Sequence, residues 1–167
     1  SDNGCGMSLE DIYKSVKPHA TSKISSAEDL YKIQTFGFRG EALSSICQVS
    51  RMSISSRPLQ EEVGHKVIFI AGKVVSESVV NMNPGTVIEI EDIFFNIPAR
   101  RKFLKSDSAE GRMTTEIIEK FILSNMVSLS YVRDGKSIYE VRKDDDLQTR
   151  LRKVFPELKA DDIIFFE

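Results

Sequence analysis

Two glycine-bearing segments are the places where this chain can hold a planar or anionic ligand. In Asp2-Asn3-Gly4-Cys5-Gly6-Met7, glycines at alternate positions permit positive φ and let a ligand approach the backbone. The carboxylate of Asp2 beside them can accept a hydrogen bond from an exocyclic amine. The same residues also suit a plain strand-to-helix turn in which Asp2 caps the next helix. In Gly37-Phe38-Arg39-Gly40-Glu41-Ala42-Leu43, two glycines lead straight into a helix. Free N–H groups at the positive end of its dipole would then face a phosphate, and Arg39 could add a charge-assisted contact. An isolated Gly-x-x-Gly is more commonly a surface loop before a capped helix. Between the two segments, His19-Ala20-Thr21-Ser22-Lys23-Ile24 offers hydroxyls and an ammonium to phosphate or ordered water.

Other chemistries find little support. Gly135-Lys136-Ser137 has the ending of a P-loop, but Ser130 stands where its first glycine is needed, and Gly-x-Gly-x-x-Gly is missing from the sequence. No serine or cysteine has an evident His/Asp pairing for nucleophilic catalysis. His19 and His65, the two histidines, do not form a zinc pattern. Cys5 and Cys47 lack metal-ligand or redox spacing, which favours a reducing compartment. Arg100, Arg101, Lys102 and Lys105 place four cations within six residues. They either face a nucleic-acid backbone or form a solvated loop.

The elements that must position these residues follow from periodicity. Ser8 with Asp11 is a near capping box opening a helix through Leu9, Ile12, Tyr13 and Val16, which Pro18 ends. Ser26 with Asp29 opens a second helix reaching Ile33, and Glu41 to Val49 a third with Ala42, Leu43 and Ile46 inward. The pattern then turns to period two: Met52 and Ile54 alternate with Ser53 and Ser55. Strands over 65–70 and 73–80 flank Ala71-Gly72, and a further strand over 86–92 follows Asn83-Pro84-Gly85. Asp107 and Glu110 introduce a long helix whose Met113, Ile117, Ile118, Phe121, Ile122 and Met126 form a wide apolar face. Asp134-Gly135 joins strands over 128–133 and 136–142, and a helix over 147–155 and a strand over 163–166 close the chain. The domain boundary is expected near Val127.

With 167 residues, 41% apolar and 29% charged, the chain has enough core for one domain and part of a second. The formal net charge of −2 does not announce a nucleic-acid partner, which would need a local basic patch. No apolar run approaches the ~18 residues that cross a bilayer, and the first residues do not form a signal peptide.

Taken in order, Asp2 to Met7, His19 to Ile24, Gly37 to Leu43 and Pro98-Ala99-Arg100-Arg101-Lys102-Phe103-Leu104 closely resemble the N-terminal module of MutL-type DNA mismatch repair proteins. The resemblance covers almost the whole chain. Its first motif is shared by gyrase, heat-shock chaperone, histidine kinase and MutL ATPases, whereas the other three segments are far more specific to MutL. The resemblance implies an α+β fold, a two-layer α/β sandwich of Bergerat type with helices on one face of a mixed, mostly antiparallel sheet. Residues 1–127 would form an ATP-binding domain lacking its N-terminal helix and strands, and 128–167 the start of a ribosomal-protein-like transducer domain.

Within that family, Asp2 corresponds to the aspartate holding the adenine amino group, with Gly4 and Gly6 shaping the base pocket. Thr21, Ser22 and Lys23 match the loop lining the nucleotide. Gly37, Phe38, Arg39 and Gly40 match the phosphate lid, and Thr86 the threonine at the back of the adenine site. The cofactors implied are ATP and Mg2+, but the family's catalytic glutamate and magnesium-binding asparagine would lie upstream of Ser1. The γ-phosphate lysine of the next domain would lie beyond Glu167. The expectation is therefore an ATPase parent protein and negligible hydrolysis by these 167 residues alone. The alternative is an inert DNA-binding scaffold with a vestigial nucleotide site. The implied partners are DNA without sequence preference, through Arg100, Arg101, Lys102 and Lys105, a mismatch-recognition protein of the MutS type, and a second copy or a MutL paralogue. The location would be cytoplasmic in a prokaryote and nuclear in a eukaryote.

Overall fold

The computed structural model describes residues 1–18 and 40–158. The helix expected over 26–33 and the strand expected over 163–166 lie outside them. Its contacts divide the chain into two compact units, Ser1–Phe103 and Leu104–Glu167.

The first unit begins with helix α1 (Leu9–Ser15), opened as the sequence predicts: the Ser8 hydroxyl accepts the amide of Asp11 and donates to its carboxylate. After α2 (Ala42–Gln48) come β1 (Arg51–Arg57), β2 (Gly64–Ile70), β3 (Lys73–Val80) and β4 (Gly85–Glu91). They form one sheet in the order β3-β2-β1-β4, with every pairing antiparallel. The β2–β3 turn takes Ala71 and Gly72 to φ 50° and 78°, the left-handed pair that a two-residue hairpin requires.

Period-two alternation turns Met52 and Ile54 of β1, and Val67 and Phe69 of β2, toward the helices. There they close a core with Ile12 and Cys47, flanked by Leu43, Ile46 and Ile88. Each fully buried aliphatic or aromatic side chain contributes about 1.5–3 kcal/mol. Ala42, expected inward, is exposed; Ser44 and Cys47 take the buried positions of this short helix. Across the core, Tyr13 meets Phe69 edge to face and donates its hydroxyl to Glu77 of the edge strand β3.

Beyond β4, the chain folds back on the end of α2 and the start of β1. The Phe94 amide donates to Val49 O at 2.6 Å, the Asn96 side chain donates to Gln48 O at 2.9 Å, and Arg51 stacks on Phe95. Asp92 and Phe94 take φ of 50° and 62°, a costly conformation for residues with a Cβ that these contacts hold in place. The return delivers α3 (Pro98–Arg101), a short helix where periodicity gives only a basic segment. Pro98 at its first turn is the signal in the sequence, since a fixed φ suits that position.

The second unit contains α4 (Asp107–Ser124), β5 (Leu129–Arg133), β6 (Lys136–Val141) and α5 (Leu147–Val154). Glu110 reaches back to accept the Lys105 amide, but the residue preceding the first turn of α4 is Ser106 rather than Asp107. Asp134 and Gly135, at φ 52° and 73°, make the expected hairpin between β5 and β6. The sequence pattern places a boundary after the long helix. The contacts instead group α4 with the β5–β6 hairpin and α5, because its buried Ile122 packs on Val141 and Val154. The wide apolar face of α4 is correspondingly split, with Ile118 and Ile122 packed inward while Met113 and Ile117 are exposed.

Fully buried Arg150 completes this unit. Its guanidinium donates to the carbonyls of Ile122, Asn125, Val127, Arg142 and Asp145. Tyr139 donates to Glu119 at 2.6 Å, and burial together with that contact pushes its phenol up to about 12.

Asp146 caps α5 by accepting the Thr149 amide at 2.7 Å, and its bonds to Thr149 hold its carboxyl below the usual aspartate range. A depressed folded-state pKa contributes stability that is complete above the unfolded value of about 3.9 and is lost as pH falls through the folded one. Asp146→Ala should therefore be less stable than wild type at neutral pH, with the gap closing toward low pH. Urea midpoints measured across this range test it; a gap independent of pH contradicts the assignment.

Candidate nucleotide site

The glycine segment does not sit in isolation before α1. Asp2 and Thr86 pair as an antiparallel bridge, the Asp2 amide donating to Thr86 O at 2.8 Å and the Thr86 amide to Asp2 O at 3.2 Å. Two residues that the MutL resemblance assigns to one adenine site are thus backbone neighbours at the edge of β4.

Two glycines allow this approach. A Cβ on Gly85 would stand 2.2 Å from Asp2 O, and one on Gly6 would stand 2.1 Å from Arg57 O. Both glycines have positive φ, 130° at Gly85 and 72° at Gly6, so substitution is opposed by torsion as well as by space. Gly4 contributes differently: its amide donates to Asp2 Oδ1 at 2.9 Å, fixing the carboxylate over the turn. The helix after this segment is capped by Ser8, so Asp2 is not its cap. Asp2 is exposed, and an ionised carboxylate can accept further donors beside Gly4.

Behind the bridge lies Ser56, which is absent from the sequence-predicted site. Its hydroxyl donates to Gly85 O at 2.8 Å, accepts the Met7 amide at 2.8 Å, and lies 2.9 Å from Thr86 Oγ1. Ser56 is fully buried and Thr86 is 7% exposed. Ser56 occupies the inward position that continues Met52 and Ile54. A hydroxyl where period two demands an apolar side chain is the available signal, because a buried polar group must be satisfied.

Of the remaining expected site residues, Gly40 precedes α2 with φ 64°, as its glycine identity suggests. Thr21, Ser22, Lys23, Gly37, Phe38 and Arg39 lie outside the described residues. Arg100, Arg101 and Lys102 are exposed on and just after α3 in the first unit, followed by Phe103 at 85% exposure. Lys105 is exposed in the second unit. Among the described residues, no group of three or more His, Cys, Asp or Glu side chains is placed to hold a metal ion. None of the described helices is long and apolar enough to cross a membrane. Cys5 is exposed and Cys47 buried, both as free thiols.

The chain is 58% identical over 166 residues to the DNA mismatch repair protein MutL of Petrotoga mobilis, covering 99% of the chain and 27% of that protein. The corresponding protein of Kosmotoga olearia is 48% identical over 165 residues, covering 98% of the chain and 27% of that protein. A solved MutL ATPase domain of Aquifex aeolicus, complexed with ADP, superposes with a TM-score of 0.72 at 33% identity. This chain belongs to the MutL family. The superposition covers 93% of the chain and 55% of the Aquifex domain, and the chain spans only about a quarter of the curated MutL proteins it matches. No family model matches the sequence. The α+β class expected from the MutL resemblance is the one observed, an antiparallel sheet with helices.

If the approach of Asp2 to β4 depends on Gly85, then Gly85→Ala should part the bridge. The Asp2 and Thr86 amides should lose protection from hydrogen exchange relative to the β1–β2 ladder, with stability falling by more than about 1 kcal/mol. Undiminished protection at both amides would show that the two segments do not need the glycine.

Proposed function

We propose that this MutL-type region binds ATP, with the base held where the glycine segment meets β4. The observation carrying the proposal is the Asp2–Thr86 bridge, which joins an exposed carboxylate to a buried hydroxyl across two glycine-lined approaches. A carboxylate presents acceptors to the exocyclic amine of adenine, and Gly6 and Gly85 let the segment that carries it lie against Arg57 and β4. The ADP in the Aquifex MutL domain supports a nucleotide in the same fold. On this reading Gly4 orients Asp2, Thr21, Ser22 and Lys23 line the nucleotide, and the segment from Gly37 to Gly40 closes over its phosphates.

The parent activity proposed is ATP hydrolysis with Mg2+. Nucleotide-driven ordering of the lid and dimerisation, with a second copy or a paralogue, would couple a MutS-type mismatch signal to downstream repair. The described residues offer no cluster for the metal, and none of them is assigned as its ligand. Arg100, Arg101 and Lys102, exposed on and beside α3, suit contacts to DNA phosphates, with Lys105 as a further cation.

Asp2→Ala should lower ATP affinity by roughly ten- to a hundredfold, as expected for a charge-assisted hydrogen bond, in isothermal titration of the full-length protein. Equal affinity in both proteins would remove Asp2 from the base site, and a wild type without measurable ATP affinity would favour the scaffold reading. For DNA, replacing Arg101 and Lys102 together by alanine should reduce the slope of log affinity against log salt by about 2 if each neutralises one phosphate. An unchanged slope removes α3 from the DNA-contacting surface.

A further inference from the structure

We propose that Ser56 is a positioning residue that sets the hydrogen-bond polarity of Thr86, and thereby makes the site select a 6-aminopurine over a 6-oxopurine. The inference rests on the nucleotide-site reading above and extends it to a residue that never touches the ligand.

The protons around one oxygen atom can be counted. A serine hydroxyl has one hydrogen to donate and two lone pairs to accept with. Gly85 O, at 2.8 Å, is a carbonyl and can only accept, so it takes the Ser56 proton. The Met7 amide, also at 2.8 Å, can only donate, so it takes one lone pair. One lone pair is left, directed to Thr86 Oγ1 at 2.9 Å. The arrangement in which every contact is a hydrogen bond therefore has Thr86 donating to Ser56. In the opposite arrangement, the Ser56 and Gly85 oxygens face each other at 2.8 Å without a proton, in a site where Ser56 is fully buried and water cannot compensate.

Thr86 has then spent its single proton inward. Whatever it shows to a ligand, directly or through a water, is a lone pair. Asp2, bridged to it through the backbone, also shows acceptors. Two acceptors on neighbouring residues suit an amino group, which has two N–H donors. They oppose a carbonyl oxygen at the same ring position, which brings only lone pairs to a site that cannot donate. Sites whose buried polar groups would be left unpaired by the wrong ligand discriminate strongly against it. Asp2 supplies this preference unaided; Ser56 supplies it through Thr86, which would otherwise be free to rotate and donate to a 6-oxo group.

The test measures ATP and GTP affinities on the full-length protein and its variants. Wild type should prefer ATP. Ser56→Ala should cut the ATP-to-GTP affinity ratio by about five- to tenfold, the worth of one hydrogen bond. Thr86→Val should shift the ratio similarly, and Thr86→Ser should restore it. Adding Ser56→Ala to Thr86→Val should move the ratio no further, because Ser56 acts through that hydroxyl. A Ser56→Ala protein with a native melting profile that weakens both nucleotides equally, or neither, overturns the proposal. Should Ser56→Ala fail to fold, an unchanged ratio in Thr86→Val overturns it instead. If Asp2→Ala also leaves ATP affinity intact, the nucleotide-site reading falls with it; if Asp2→Ala loses ATP while the ratio stays fixed in the other variants, only the role of Ser56 falls.

Discussion

The first unit turns on a short non-local hydrogen-bond network, the two backbone bonds between Asp2 and Thr86 together with the three contacts of the Ser56 hydroxyl. Without it the glycine segment would be a solvated peptide leading into α1. With it, an exposed carboxylate is anchored to the edge of a sheet whose buried face is fixed by packing. The network is also fully saturated: Ser56 gives one proton and receives two, so its buried hydroxyl has no need of water. The core of Ile12, Met52, Ile54, Val67 and Phe69 supplies the bulk of the burial, but it is the hydroxyl that ties the glycine segment to the sheet.

Much of the architecture was legible because it is written in local rules. The two hairpins follow from dipeptides that tolerate left-handed φ, Ala71-Gly72 and Asp134-Gly135, and both take that conformation. Helix α1 follows from Ser8, and the alternation of Met52 and Ile54 gives the buried face of β1 directly. What local rules do not carry is non-local. The bridge between Asp2 and Thr86 joins residues far apart in sequence, and the MutL resemblance, not periodicity, put them at one site. Ser56 escaped because serines at 53 and 55 precede it, so its parity, not its type, carried the information. The single long stripe read into α4 mixes two sides of the helix, of which only the Ile118–Ile122 side is packed inward in its own unit.

The basic segment shows a different limit. Composition marked the cations, but their presentation comes from the segment between β4 and α3, which is tied to the end of α2 and the start of β1. Phe94 and Asp92 adopt left-handed backbone there because Val49 O, Gln48 O and the Arg51 side chain compensate. Arg100 and Arg101 are therefore displayed from a tethered turn of helix rather than from a free loop. A rigid display lowers the ordering cost of engaging a polyanion, since less freedom remains to be lost on contact.

Arg150 carries a consequence of its own. A buried guanidinium is commonly matched to a carboxylate, and such a pair unravels once acid protonates the anion. Here every bonded acceptor is a main-chain carbonyl. Main-chain carbonyls carry no ionisable group. The clasp joining the end of α4 to β6 and α5 therefore contains no carboxylate whose neutralisation would break one of its five hydrogen bonds.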